Sequence, residues 1–304
     1  MHNRQNNFKT IQSYGHVREE FKNYIDYTAA KQISFTLVNR KSGEVKQVDI
    51  DYIHRWTQTY KNRLLAKMYK LEEWYKQDPE PITFFTFTTK QRDFKKLEDQ
   101  YAFLKLNFQK IRDWMRKTYK ARTGESTFNY FWVIEPHQSG FLHLHMMTFC
   151  TWTDSEKEHC YDMWCDKYEA GKSEAQDIQD IPVMKIDYIR TYLFKYLVKN
   201  LFDENHHAAH STFNAVAWFM SRRDTDYTGI RFYGSSQYLT KIMKLDKEID
   251  EDWVCESVLI GDSKTYEWDD ETKTLLKEEL HSNTHGINGN PLLSGFHSHI
   301  SDSH

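Results

Sequence analysis

FNYFWVIEPHQSGFLHLHMMTF, residues 128–149, is two aromatic and aliphatic runs joined by a polar Gln-Ser-Gly turn. Residues of these types fit a pleated, half-buried surface. A short turn between two such runs predicts that they pair as a hairpin. In the second run Leu142, Leu144 and Met146 alternate with His143 and His145. A strand there sends the apolar side chains to one face and both imidazoles to the other. Seven residues separate Glu135 from His143, which lets the carboxylate reach the same face across the hairpin. Two imidazoles and one carboxylate make a usable site for a divalent cation, with mixed ligation that suits Mg²⁺ or Mn²⁺ and admits Zn²⁺ or Co²⁺. His137, two residues beyond Glu135, keeps the alternation and is a second candidate for the third ligand. The pair alone is weak support. With 15 histidines in the chain, roughly 0.7 His-x-His pairs arise by composition. A second pair, His297 and His299, stands in a tail without periodicity that is expected to be mobile.

Outward from the hairpin, ITFFTFTT (82–89) reads as a further strand. Between it and the hairpin, Phe94, Leu97, Tyr101, Leu104, Phe108, Ile111 and Met115 recur at steps of three and four over 93–119. That spacing predicts a long amphipathic helix packed on one side and ended by TGES (123–126). Residues 33–50 read as two strands about a Ser42-Gly43 turn, and residues 52–76 as a helix stopped by the prolines of QDPEP. After the hairpin come a helical stretch at 154–170, a loop ending at Pro182, a helix at 185–202 and a strand within GIRFYGSS (229–236). The order β-α-β-β-α predicts an α+β domain of the ferredoxin-like or RRM-like kind, an antiparallel sheet with helices on it. The expected division is an N-terminal hairpin and helix extension (1–78), the sheet domain (79–240) and an acidic C-terminal segment (241–304).

Composition bounds the function. Aromatics at 15% and charged residues at 28% fit a chain able to bury a core. No run of 18 apolar residues occurs, and the polar opening MHNRQNNFKT is not a signal peptide, so a cytoplasmic protein without membrane partners is expected. Cys150, Cys160, Cys165 and Cys255 show no CxxC spacing and are read as free thiols. Charge is uneven: residues 82–125 hold 11 Lys/Arg against 5 Asp/Glu, and 246–279 hold 4 against 13. The first region suits a phosphate-bearing partner, although a solvated helix face and tail give the same asymmetry.

The helix at 185–202 adds chemistry. At 100° per residue, Tyr188, Tyr192, Lys195, Tyr196 and Lys199 share about 100° of arc, opposite a wide apolar face. A tyrosine ladder by itself usually means packing. Ammonium groups beside a phenol favour its ionised form and also bind a phosphodiester.

Taken in order, the strand FFTFTT, the FLHLH strand preceded by Glu135, and the repeated YLFKYLVK resemble the three motifs of the HUH-superfamily rolling-circle replication initiators of plasmids and viruses. The resemblance covers about residues 82–200. Tyr192-Leu-Phe-Lys195 and Tyr196-Leu-Val-Lys199 both match the third motif, so the chain is similar to the two-tyrosine members. Tyr188 has no lysine three residues on and is read as packing or a DNA contact. What the resemblance implies is a metal-dependent endonuclease and strand transferase acting on single-stranded DNA at a replication origin. A cation on Glu135, His143 and His145 would polarise the scissile phosphate. Tyr192 or Tyr196 would form a 5′-phosphotyrosine bond, and Lys195 and Lys199 would hold phosphate oxygens or lower a phenol pKa. Thr86, Thr88 and Thr89 would orient DNA or the ligands, and Lys90, Arg92 and Lys95 would track the backbone. No G-x-x-x-x-G-K-[ST] occurs, so unwinding and synthesis would fall to a host helicase and polymerase.

Several rivals share a feature. A cupin-like metal enzyme expects a Glu soon after the histidine pair, and residues 146–155 hold none. A relaxase places its tyrosine ahead of the histidines. A single-tyrosine HUH transposase shares the motif order, and a non-catalytic RRM-like nucleic-acid-binding protein would need the histidines only for structure.

Overall fold

In the computed structural model, the described residues are 14–90, 94, 96–136, 141–172, 177–183, 211–222, 229–245, 252–262, 265–269 and 274–279. The centre is a five-stranded antiparallel sheet built from β3 (Ile82–Thr88), β4 (Tyr130–Pro136), β5 (Leu142–Thr148), β6 (Asp177–Ile181) and β7 (Tyr233–Ser235). Its order is β6-β3-β5-β4-β7. β5 runs antiparallel to both β3 and β4, so those two are parallel to each other on either side of it. That is a split β-α-β crossover, and with β6 beyond β3 the first four strands take the ferredoxin-like arrangement. The expected α+β, RRM-like fold is what the chain adopts.

Helices are numbered in chain order: α1 (Gly15–Ala29), α2 (Gln58–Gln77), α3 (Leu97–Thr123), α4 (Asp154–Asp162), α5 (Thr212–Met220) and α6 (Gln237–Ile242). The crossover helix α3 buries Leu97, Tyr101, Leu104, Phe108, Ile111 and Met115, the expected stripe save Phe94. It begins four residues later than the spacing predicts, and its end is set by Gly124, whose φ of 81° closes the helix in the left-handed region. Acidic Glu98 and Asp99 in the first turn and basic Lys120 and Arg122 in the last complement the helix dipole. α3 packs on one face of the sheet: Phe108 lies 6.0 Å from Phe87 of β3 and 5.8 Å from Trp132 of β4, ring to ring.

Other expectations shift. The helix expected from residue 52 starts at Gln58, behind the Thr57 hydroxyl that accepts from the Tyr60 N–H. The stretch at 154–170 is α4, opened by a Thr153–Glu156 capping box, then a π-helical turn over Met163–Lys167. The loop expected before Pro182 contains β6, and the strand expected at 229–236 shortens to three residues. β1 (Lys31–Asn39) and β2 (Val45–Asp51) form the expected hairpin around Gly43 (φ 73°). β8 (Trp253–Asp262), from the acidic C-terminal segment, pairs along the other edge of β1. β9 (Thr265–Asp269) and β10 (Thr274–Glu279) form a separate antiparallel pair. α1 and α2 contribute Val17, Phe21, Leu64, Met68 and Leu71 to the same core as the sheet. None of the four cysteines forms a disulfide. Among the described residues no helix is long and apolar enough to cross a membrane.

Candidate metal centre

Two cross-strand rows build the site. Glu135, His143 and Thr88 stand opposite one another on β4, β5 and β3, and Val133, His145 and Thr86 form the next row. By strand alternation these side chains occupy the face turned away from α3. Glu135 Oε2 lies 3.2 Å from His143 Nε2 and 3.1 Å from His145 Nε2. Glu135 and His145 are buried, while the His143 side chain keeps 16% of its exposure and marks the open side. The three ligand atoms fall within 4.8 Å of one another and could hold a metal ion.

The donor set fits a divalent cation. Ligands about 2.1 Å from a tetrahedral or octahedral ion stand about 3.0–3.4 Å apart, so these separations serve either a hydrogen bond or an edge of a coordination shell. Exchange between the two requires that both Nε2 atoms give up their protons.

The surroundings hold the rings in place. Thr86 Oγ1 is 3.1 Å from His145 Nδ1. A hydroxyl can donate to or accept from that nitrogen, so it steadies the ring in either tautomer with Nε2 toward Glu135. Phe84 stacks on the same imidazole at 5.5 Å and 23°. The end of β3 is fixed as well, because Trp164 Nε1–H of the π-helical turn donates to the Thr88 carbonyl at 2.9 Å. Lys90, two residues beyond Thr88, gives its N–H to the Ala170 carbonyl at 3.0 Å and stands half-buried at this end of the sheet.

Gln100 is the residue that the motif reading missed. Its side chain is fully buried; Oε1 accepts from the Leu142 N–H at 2.9 Å, and Nε2–H donates to the Leu142 carbonyl at 3.1 Å and to Thr89 Oγ1. β3 ends at Thr88, so the carboxamide takes the place of the next ladder peptide beside Leu142, one residue before His143. A signal existed: Gln100 lies between Leu97 and Leu104 at steps of three and four, a polar residue on an apolar stripe. Gln100→Leu deprives two buried backbone groups of their partners. The expected destabilisation in urea unfolding is about 2–5 kcal/mol, and wild-type stability would show the clamp to be idle.

Of the other expected site residues, Tyr188, Tyr192, Lys195, Tyr196, Lys199, Arg92, Lys95 and His137 lie outside the described residues. Residues 82–201 match the ORF2-type family of replication-associated proteins. Similarity to this family supports a replication initiator. The matched segment opens on β3, contains the whole Glu135–His143–His145 group and extends through the segment bearing the tyrosines. No curated protein and no solved structure matches the chain significantly.

Proposed function

We propose that the chain initiates rolling-circle replication by nicking and rejoining single-stranded DNA at a replication origin, as a two-tyrosine HUH enzyme. The observation that carries this reading is the convergence of His143 Nε2 and His145 Nε2 on one buried Glu135 oxygen. That site lies within the segment similar to replication-associated proteins. Bound there, Mg²⁺ or Mn²⁺ supplies Lewis-acid polarisation of a phosphate oxygen.

The chain's own residues do the rest. Glu135 contributes the negative charge that a hard cation prefers, and Thr86 keeps His145 aimed. The phenol oxygen of Tyr192 or Tyr196 loses its proton and attacks phosphorus. The bond to the 3′ oxygen breaks, leaving a 5′-phosphotyrosine and a 3′-hydroxyl that takes up a proton and can prime synthesis. Storing the bond energy in the ester lets the strand be rejoined, which hydrolysis would forbid. Lys195 and Lys199 hold phosphate oxygens, and Lys90, Arg92, Lys95 and Tyr188 contact the flanking strand. Helicase and polymerase come from the host.

Incubating the protein with single-stranded oligonucleotides from its own replicon, with Mn²⁺ or with EDTA, tests this. The expected product is a denaturation-resistant protein–DNA adduct with Mn²⁺ and none with EDTA. DNA binding without an adduct under either condition would favour a non-catalytic RRM-like binder.

A further inference from the structure

Helix α2 carries a feature that the metal centre does not use. At 100° per residue, Arg63, Lys67, Lys70 and Trp74 fall within about 60° of arc, one stripe roughly 16 Å long at 1.5 Å per residue. Arg63 is exposed, and Lys67, Lys70 and Trp74 are half-buried. Among the described residues no carboxylate pairs with Arg63 or Lys67. Burial and the neighbouring Arg63 both depress the Lys67 pKa, as expected of two cations pressed together without a counter-ion.

The stripe ends in a crease against α6. Lys70 Nζ donates to the Lys244 carbonyl at 2.9 Å, and Trp74 meets Tyr238 edge to face at 6.0 Å. Tyr238 keeps 51% of its surface exposed, and Lys241, three residues along α6, is exposed beside it. The crease therefore alternates cations with aromatic rings. Its position is informative too. Tyr60, at the start of α2, is hydrogen-bonded to Tyr233, which stands in the His145 row across Val133. Trp74, at the other end, packs on Phe149 beyond the far end of β5. The stripe thus leads from the level of the metal centre to the opposite end of the sheet, roughly 13 Å of strand at 3.3 Å per residue.

We propose that this α2–α6 crease is a second DNA-binding surface, holding the backbone of a single-stranded flank on Arg63, Lys67 and Lys241 while a base stacks on Tyr238. The inference rests on the reading of single-stranded DNA as the partner. It concerns residues outside the family-matched segment. Cations spaced along a groove neutralise successive phosphates, and an exposed ring offers a stacking platform to any unpaired base. A duplex has its bases already stacked, so the Tyr238 contribution selects single strands.

The test is fluorescence anisotropy of the full chain with a labelled oligothymidylate and with a duplex of equal length, in EDTA, across a salt series. Arg63→Ala/Lys67→Ala should flatten the slope of log affinity against log salt by about 1.4, at about 0.7 per cation on single strands. Removing two exposed lysines elsewhere, Lys22→Ala/Lys46→Ala, should leave the slope unchanged. Tyr238→Ala should lower single-strand affinity about 5- to 150-fold with the slope preserved. Equal slopes for the two double variants, or a Tyr238 effect equally large on the duplex, would overturn the proposal. Adduct formation by the same protein variants, measured separately with Mn²⁺ and an oligonucleotide from the protein's own replicon, separates the two readings: if nicking persists while the crease variants bind as wild type, the crease fails and the nuclease reading stands. Failure of the wild-type chain to bind single strands would remove both.

Discussion

The His143→Ala/His145→Ala variant should lose nicking of single-stranded DNA by at least about a thousandfold, and Mn²⁺ should no longer bind measurably. Polarisation of the scissile phosphate by a cation is worth several kcal/mol of transition-state charge stabilisation, and about 4 kcal/mol is a factor of a thousand in rate. A complication comes from the site itself. Glu135 is 4% exposed and rests against both imidazoles. Stripping both away leaves a buried carboxylate without them, and breaking such a set costs about 3–5 kcal/mol of stability. The informative companion is therefore the triple variant with Glu135→Gln, which removes the charge with the ligands. It should fold better than the double variant and remain inactive. His143→Ala alone should disturb the fold least, because His143 sits at the open side of the site. Calorimetric titration with Mn²⁺ ranks the third ligand: Glu135→Ala should weaken binding more than His137→Ala, since an anionic oxygen suits a hard cation better than a third imidazole. Full activity of the double histidine variant in EDTA would end the metal assignment.

The same geometry shows why some of this molecule was readable from its sequence and some was not. The hairpin carrying Glu135, His143 and His145 was legible because aliphatic and polar side chains alternate along it at the strand period of two, although β5 is buried on both faces save at His143. The stripe of α3 was legible for the analogous reason at a period of 3.6. β6 escaped notice because Asp-Ile-Gln-Asp-Ile is an edge strand with three polar residues, the composition by which edges resist further pairing. α5, Thr-Phe-Asn-Ala-Val-Ala-Trp-Phe-Met, is buried nearly all round and has no polar face to set a period. The β1–β8 pairing joins residues more than 200 apart in the chain and leaves no local mark on either strand. Within the site, three threonines of the first motif were equivalent candidates. Register separates them, because Thr86 stands in the His145 row, Thr88 in the His143 row, and Thr89 is engaged by Gln100. Only strand pairing, which no short motif encodes, makes that distinction.

Replacing both Tyr192 and Tyr196 with phenylalanine should eliminate the covalent DNA adduct while leaving Mn²⁺ binding intact, which distinguishes loss of the nucleophile from loss of the metal. Both tyrosines present a lysine three residues later, and the helix that their spacing predicts would set them about 6 Å apart along its axis, on one stripe. One turn is a workable spacing for two phenols to reach one phosphate in succession. On the proposed reading, the first phenol would form the initial ester at the origin. When synthesis regenerates the origin, the second would attack the new junction while the first ester is still in place. The 3′-hydroxyl released at that junction would then attack the first ester and close the displaced strand into a circle. Each single Tyr→Phe variant should consequently keep some initial cleavage yet fail to release closed circles, whereas Tyr188→Phe should alter either step far less. Mass spectrometry of the peptide–DNA adduct identifies the nucleophile, and a strand-transfer assay on the single variants measures the second step. An adduct mapped to Tyr188, or one surviving in the Tyr192→Phe/Tyr196→Phe variant, would overturn the assignment. If one single variant cleaves and rejoins as wild type does, the chain uses one tyrosine, as a single-tyrosine transposase does, and the second phenol is a bystander.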